Sequence, residues 1–140
     1  MSSRAAQPAT PPSPSTATPV APPATRSIIY LGLDVHKDSI TIAVLPEGAK
    51  TPTRLDRLPN DLPKLKRWLD RLAKEGELQA CYEASGAGYV LHRALREWGY
   101  ACDVIAPSLI PMRPGVQRKH DKRDAADLAR FYRAGELVVV

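Results

Sequence analysis

Residues 27 to 46 read SIIYLGLDVHKDSITIAVLP. Two β-branched, apolar runs, Ser27 to Val35 and Ser39 to Pro46, flank the short turn His36-Lys37-Asp38. Such runs read as strands, and a turn this short makes them antiparallel neighbours. In the second run Ile40, Ile42 and Val44 share one face through the two-residue period of a strand. The first run is a buried strand with one charged residue, Asp34, near its end.

The rest of the chain is read outward from this pair. AKTPTRLDRLP, residues 49 to 59, is a third and weaker strand whose Pro52 suits an edge. NDLPKLKRWLDRLAKEG follows, with Asn60 or Asp61 as cap and Leu62, Leu65, Leu69 and Leu72 at helical spacing. ELQACYEAS is a short strand, GYVLHRALREWG a helix with Leu91, Leu95 and Trp98 on one stripe, and YACDVIAP a further strand. SLIPMRPGVQRKH carries two prolines and a glycine and reads as a loop. DKRDAADLARFYRAG is a helix from Asp121 onward, with Ala125, Leu128, Ala129 and Tyr132 on its apolar face. Three antiparallel strands followed by strand–helix alternation predict an α/β fold, a mixed sheet with helices on its faces.

Upstream, residues 1 to 26 hold seven of the chain's fourteen prolines, mixed with Ala, Ser and Thr and without an acid. Such a segment buries too little surface to offset its ordering entropy, and it is expected to be a disordered leader. Residues 27 to 140 form the single domain. The 140 residues are 44% hydrophobic and 25% charged, with a net charge of +5, a balance that favours an anionic partner such as nucleic acid. No apolar run has the length of a membrane span, and the expected location is the cytoplasm. Cys81 and Cys102 are expected as buried free thiols, with a disulfide as the alternative.

Carboxylates are scarce in buried strands because desolvation is costly. Asp34 in YLGLDV and Glu83 in LQACYEAS both stand near strand ends. Each fits either a turn-capping role or the crevice at the carboxyl ends of an α/β sheet, where ligands bind. The stretch RKHDKRDAADLAR, residues 118 to 130, sets three aspartates among basic residues. Asp121 and Asp124 are three apart and would share a helical face; acids there also suit the helix N-terminus without any metal. Together the four acids offer hard oxygen ligands of the kind that hold Mg²⁺ or Mn²⁺ in phosphoryl transfer. Arg118, Lys119, Lys122, Arg123, Arg130 and Arg133 would neutralise phosphates of a nucleic-acid backbone. Asp127 reads as a helix-surface acid pairing with Arg123 or Arg130.

GLDVHKDS, YEASG and KHDKRDAADLAR, taken in order, resemble the amino-terminal domain of the DEDD transposases of the insertion-sequence-110 family. The resemblance covers Ile28 to about Gly135. It implies a ribonuclease-H-like, RuvC-like fold and a catalytic metal site of Asp34, Glu83, Asp121 and Asp124 using Mg²⁺ (or Mn²⁺). It also implies DNA as partner, with Arg118, Lys119, Lys122, Arg123 and Arg130 along the DNA, strand cleavage and exchange as activity, and a homo-oligomer for the full-length protein. A structural guide RNA is a further partner in some members. The family's carboxy-terminal serine domain has no counterpart here, so the chain is expected to be a fragment; Ser85 and Ser108 match no motif and inherit no role. Two other readings stand beside this one: a non-catalytic nucleic-acid-binding remnant, and an actin-like or sugar-kinase-like phosphotransferase, for which the nucleotide-binding glycine loop is missing.

The remaining features read as structure first. Gly86 and Gly88 suit a turn rather than a phosphate cradle. Trp68 and Trp98 suit packing rather than base stacking. His36 shares the parity of Asp34 and either faces the same crevice or sits in solvent; His120 is open in the same way.

Overall fold

A computed structural model describes residues 26–84, 88–110, 119–121 and 123–140; the side chains of 108–110 and 119–121 lie outside that description. Residues 1 to 25 of the Pro-rich leader, the glycine pair's first member, Arg118 and Lys122 therefore fall outside the described residues.

The strands are β1 (Ile28–Val35), β2 (Ser39–Pro46), β3 (Arg54–Pro59), β4 (Glu77–Glu83) and β5 (Ala101–Ile105). They form one mixed sheet in the order β3-β2-β1-β4-β5. β1 runs antiparallel to β2 and β2 to β3, whereas β4 lies parallel to both β1 and β5. The expected α/β architecture is present: a hairpin-built half joined to a crossover-built half at β1. Helices α1 (Leu62–Leu72) and α2 (Val90–Glu97) provide the crossovers.

The two sheet faces are covered differently. Ile29, Leu31 and Leu33 of β1 pack in one cluster with Leu65, Trp68, Leu69 and Leu72 of α1 and Leu91 and Leu95 of α2. Full burial of one such leucine contributes about 1.5–3 kcal/mol. Asp61 caps α1, its carboxylate accepting from Lys64 N at 3.3 Å. Gly99, at φ +92°, ends α2's turn in the left-handed region that favours glycine. Trp68 is packing material: its Nε1 donates to Asp56 at 2.9 Å and the ring is buried.

The opposite face carries α3 (Ala125–Arg133). Ala43, Leu45, Ala125 and Ala129 make one cluster there, and Cys81, Ile105 and Leu128 another. The helix sits directly on Gly32 of β1. A Cβ at that position would come within 2.2 Å of the Ala125 carbonyl oxygen and 2.6 Å of Ala129 N. Glycine in a strand interior marks this kind of backbone approach. After α3 the chain returns along β5, with Ala106 N donating to Val138 O at 2.7 Å and Val140 N to Val104 O at 2.8 Å. Both cysteines are buried and free.

Two expectations need correction. The segment read as a loop from Ser108 to His120 contains two short strands, β6 (Ser108–Ile110) and β7 (Lys119–Asp121), paired antiparallel. The helix expected from Asp121 starts only at Ala125. Asp124 is its N-cap, in extended conformation, and accepts from Asp127 N at 2.7 Å. Aspartate caps strongly because its oxygen satisfies an amide that the first turn leaves open. Asp121 belongs to β7, so Asp121 and Asp124 do not share a helical face.

Candidate functional site

Asp34 and Glu83 lie side by side at the carboxyl ends of neighbouring parallel strands. The β1–β4 register ends at Leu33 opposite Tyr82, and the two acids are the next residue on each strand. Adjacent strands run about 4.8 Å apart. Asp34 shares its face with Gly32, on which α3 rests, and Glu83 shares its face with Cys81, which packs against Leu128 of α3. Both carboxylates therefore stand on the α3 side, near the helix end that begins at Asp124. Of the four acids expected in the site, the fold brings Asp34, Glu83 and Asp124 to one end of one layer. The side chain of Asp121 lies outside the described residues.

Each acid has a distinct environment. Glu83 is buried, with a side chain 4% exposed, and Arg123 donates to its Oε2 at 2.7 Å. Arg123 is itself largely covered and also approaches Ala106 O at 3.4 Å. The other oxygen, Glu83 Oε1, is buried without a hydrogen-bond partner among the described residues. Asp34 is half-buried, and His36 Nε2 stands 3.2 Å from its Oδ2, so His36 faces the same end of β1 as Asp34. Asp124 is exposed and engaged in capping.

Among the described residues no three His, Cys, Asp or Glu side chains are grouped closely enough to hold a metal ion. The donor chemistry nonetheless suits a divalent cation. All the acids offer hard oxygens, and Glu83 Oε1 is a buried acceptor with no donor among the described residues.

The basic residues are more occupied than the sequence suggests. Arg123 pairs with Glu83, Arg130 pairs with Asp127, and Arg133 donates to the carbonyls of Ala49 and Pro46, the last at 3.4 Å. Lys119 lies in β7. The reading from sequence missed two structural residues of this end of the fold. Gly32 seats α3, and a glycine inside an apolar strand is the signal that marks it. Arg123 neutralises Glu83, and no local spacing reveals a partner forty positions away.

A model of the DEDD transposase family of IS110 type, described as "Transposase", matches residues 31–140. The transposase for insertion sequence element IS1533 of Leptospira borgpetersenii is 37% identical over 110 residues, which make up 78% of this chain and 32% of that protein. A Sinorhizobium fredii protein, y4qE, whose name describes it as a transposase, is 40% identical over 113 residues, 79% of this chain and 29% of that protein. The chain spans about a third of the length of these curated relatives.

Proposed function

Because this chain belongs to the IS110-type DEDD transposase family, we propose that it serves DNA transposition, binding DNA and contributing an acidic site for strand cleavage and exchange. The observation that carries the reading is the pairing of Asp34 and Glu83 at adjacent parallel strand ends, on the face where α3 begins with Asp124. The strand order β3-β2-β1-β4-β5, antiparallel then parallel, supports a ribonuclease-H-like, RuvC-like assignment of the fold.

In this proposal Asp34, Glu83, Asp121 and Asp124 hold Mg²⁺ or Mn²⁺, since hard oxygen donors select such ions. A divalent ion held there would supply electrostatic stabilisation of charge developing at the phosphodiester. The chain's own residues prepare the place. Arg123 sets a charged partner 2.7 Å from the buried Glu83 carboxylate and holds its Oε2 in place. His36 orients the Asp34 carboxylate from 3.2 Å. Arg118, Lys119 and Lys122 supply cations for the DNA backbone, a sequence-independent attraction, whereas Arg123 and Arg130 are already paired with Glu83 and Asp127.

Calorimetric titration with Mg²⁺ and Mn²⁺ tests the site. Wild type gives saturable heat and the Asp34→Asn, Glu83→Gln double variant gives none; equal titration of both would remove the acids from the role. A second reading, nucleic-acid binding without catalysis, is favoured by one observation: Arg123 already occupies Glu83 Oε2. Incubation with supercoiled DNA and Mg²⁺ separates the two. Nicked or exchanged product supports the first reading, and intact DNA with undiminished binding supports the second.

A further inference from the structure

The geometry points to a phosphate subsite in the recess beside the β1–β2 turn, where Lys37 and Arg57 grip a backbone phosphate of a nucleic-acid strand lying against the acids. This inference rests on the transposase reading above and assigns residues that reading leaves unused. The recess has a volume of about 440 Å³ and is lined by His36, Lys37, Asp38, Ser39, Thr41 and Arg57.

Strand register links it to the acids. Asp34 lies opposite Thr41, and Thr41 opposite Arg57. Directly opposed residues on neighbouring strands present to the same face. Glu83, Asp34, Thr41 and Arg57 therefore form one row across β4, β1, β2 and β3. The backbone of Arg57 is two strand spacings, about 10 Å, from that of Asp34. At a rise of about 3.4 Å per nucleotide, this is about three nucleotides along a strand. The row thus changes from acidic to basic over a distance that one bound strand would span.

Three further observations favour a built site over a solvated surface. First, Lys37 and Arg57 are exposed, and neither forms an ion pair among the described residues, whereas Arg54, Arg123 and Arg130 are all paired with acids. Second, the turn carrying Lys37 is held rigid. Asn60 Nδ2 donates to His36 O at 2.7 Å, Asn60 N to Asp38 O at 3.1 Å, and His36 N to Ser39 O at 2.8 Å. Its carbonyls are used within the chain, which pre-positions the side chains and lowers the ordering cost of binding. Third, α3 packs over β1, β2 and β4 on this face. Leu55, two residues from Arg57 on the same face, is 62% exposed, so this part of the sheet is open to a strand. Asp38 is the one acid in the lining. Facing a phosphate it would weaken binding, and it supplies a variant of opposite sign.

The test is equilibrium binding of the chain to a DNA duplex and, separately, to a single-stranded RNA of equal length, as a function of salt. Each lost phosphate contact lowers the slope of log affinity against log salt by about 0.9 on duplex DNA. The Lys37→Ala, Arg57→Ala variant is expected to lose the one phosphate contact that the two residues share. Its affinity then falls about 3.5-fold less than wild type's between 50 and 200 mM salt. Asp38→Asn is expected to bind more tightly than wild type, and thermal melting of both variants verifies that they fold. Slope loss on DNA alone assigns the subsite to DNA, and loss on RNA alone assigns it to an RNA strand. Wild-type binding with unchanged slopes in the double variant on both ligands overturns the subsite and leaves the transposase reading standing. Absence of wild-type binding to either nucleic acid overturns both.

Discussion

Arg123 donates to Glu83 Oε2 across 2.7 Å, while the buried Glu83 Oε1 has no hydrogen-bond partner among the described residues. Among the described residues, one half of the carboxylate is satisfied from within the chain and the other half is not. The arginine thus gives this buried acid a charged partner on one side only.

Arg123→Ala removes that compensation. Breaking a buried ion pair by deleting one partner costs about 3 kcal/mol, because the remaining charge stays desolvated. Urea denaturation should show this loss, and added Mg²⁺ should raise the melting temperature of the variant more than that of wild type. Unchanged stability without metal would mean that the pair contributes nothing to the fold.

Gly32→Ala tests the seat of α3. The new Cβ would meet two backbone atoms, Ala125 O and Ala129 N, which cannot rotate away. Overpacking of this sort costs about 1–3 kcal/mol. The melting temperature is expected to fall, together with any cation binding that depends on Asp124 lying near Asp34. Gly48→Ala, where nothing lies within 4 Å, is the control and should melt as wild type. Equal melting of the two variants would contradict the close approach.

Asp124 has a cap role visible in the structure and a proposed ligand role, and two substitutions separate them. Asparagine caps as well as aspartate, so Asp124→Asn should keep stability within a few tenths of a kcal/mol. Asp124→Ala should lose about 1 kcal/mol through the cap. Both should abolish calorimetric Mg²⁺ binding. Wild-type binding by the asparagine variant would reduce Asp124 to a cap.

Alkaline pH should destabilise the fold. Burial pushes the Cys102 thiol from 9.0 up to about 12, and burial drives Cys81 up as well. Burial also raises Tyr132, helped by its hydrogen bond to Asp103 at 2.6 Å. Each of these groups releases its proton more readily when unfolded. The folded state therefore has its full stability below the ordinary thiol range and loses it as pH rises from about 9 towards 12. Thermal melts over that window should show the decline, and Cys81→Ala, Cys102→Ala should flatten it. A melting temperature independent of pH up to 11 would contradict the burial of these thiols as neutral groups.

Much of this architecture is legible locally. The β1–β2 pair is written in two apolar runs around a three-residue turn, and α1 in its leucine spacing and Asp61 cap. Asp34 and Glu83 stand out because charge at the end of an apolar strand is expensive unless it has a use. Asp121 and Asp124 are harder, since a three-residue interval fits two acids on a helix and also a strand end followed by a cap. The hydrogen bond from Asp127 N to the Asp124 side chain decides for the cap. The β6–β7 pair is equally hidden: its strands have three residues each, separated by proline-bearing chain, and nothing local distinguishes them from a loop.

The sequence by itself determined the class of fold, the order of the five main-sheet strands and three helices, and which acids were placed against the cost of burial. Those follow from periodicity, turn chemistry and desolvation, all of which act within a few residues. Tertiary structure alone decided that Asp34 and Glu83 are neighbours, that Arg123 neutralises one of them, and that Thr41 and Arg57 continue their row. Sheet register and the seating of α3 on Gly32 bring together residues tens of positions apart, and such contacts are set by packing across the fold rather than by any local pattern.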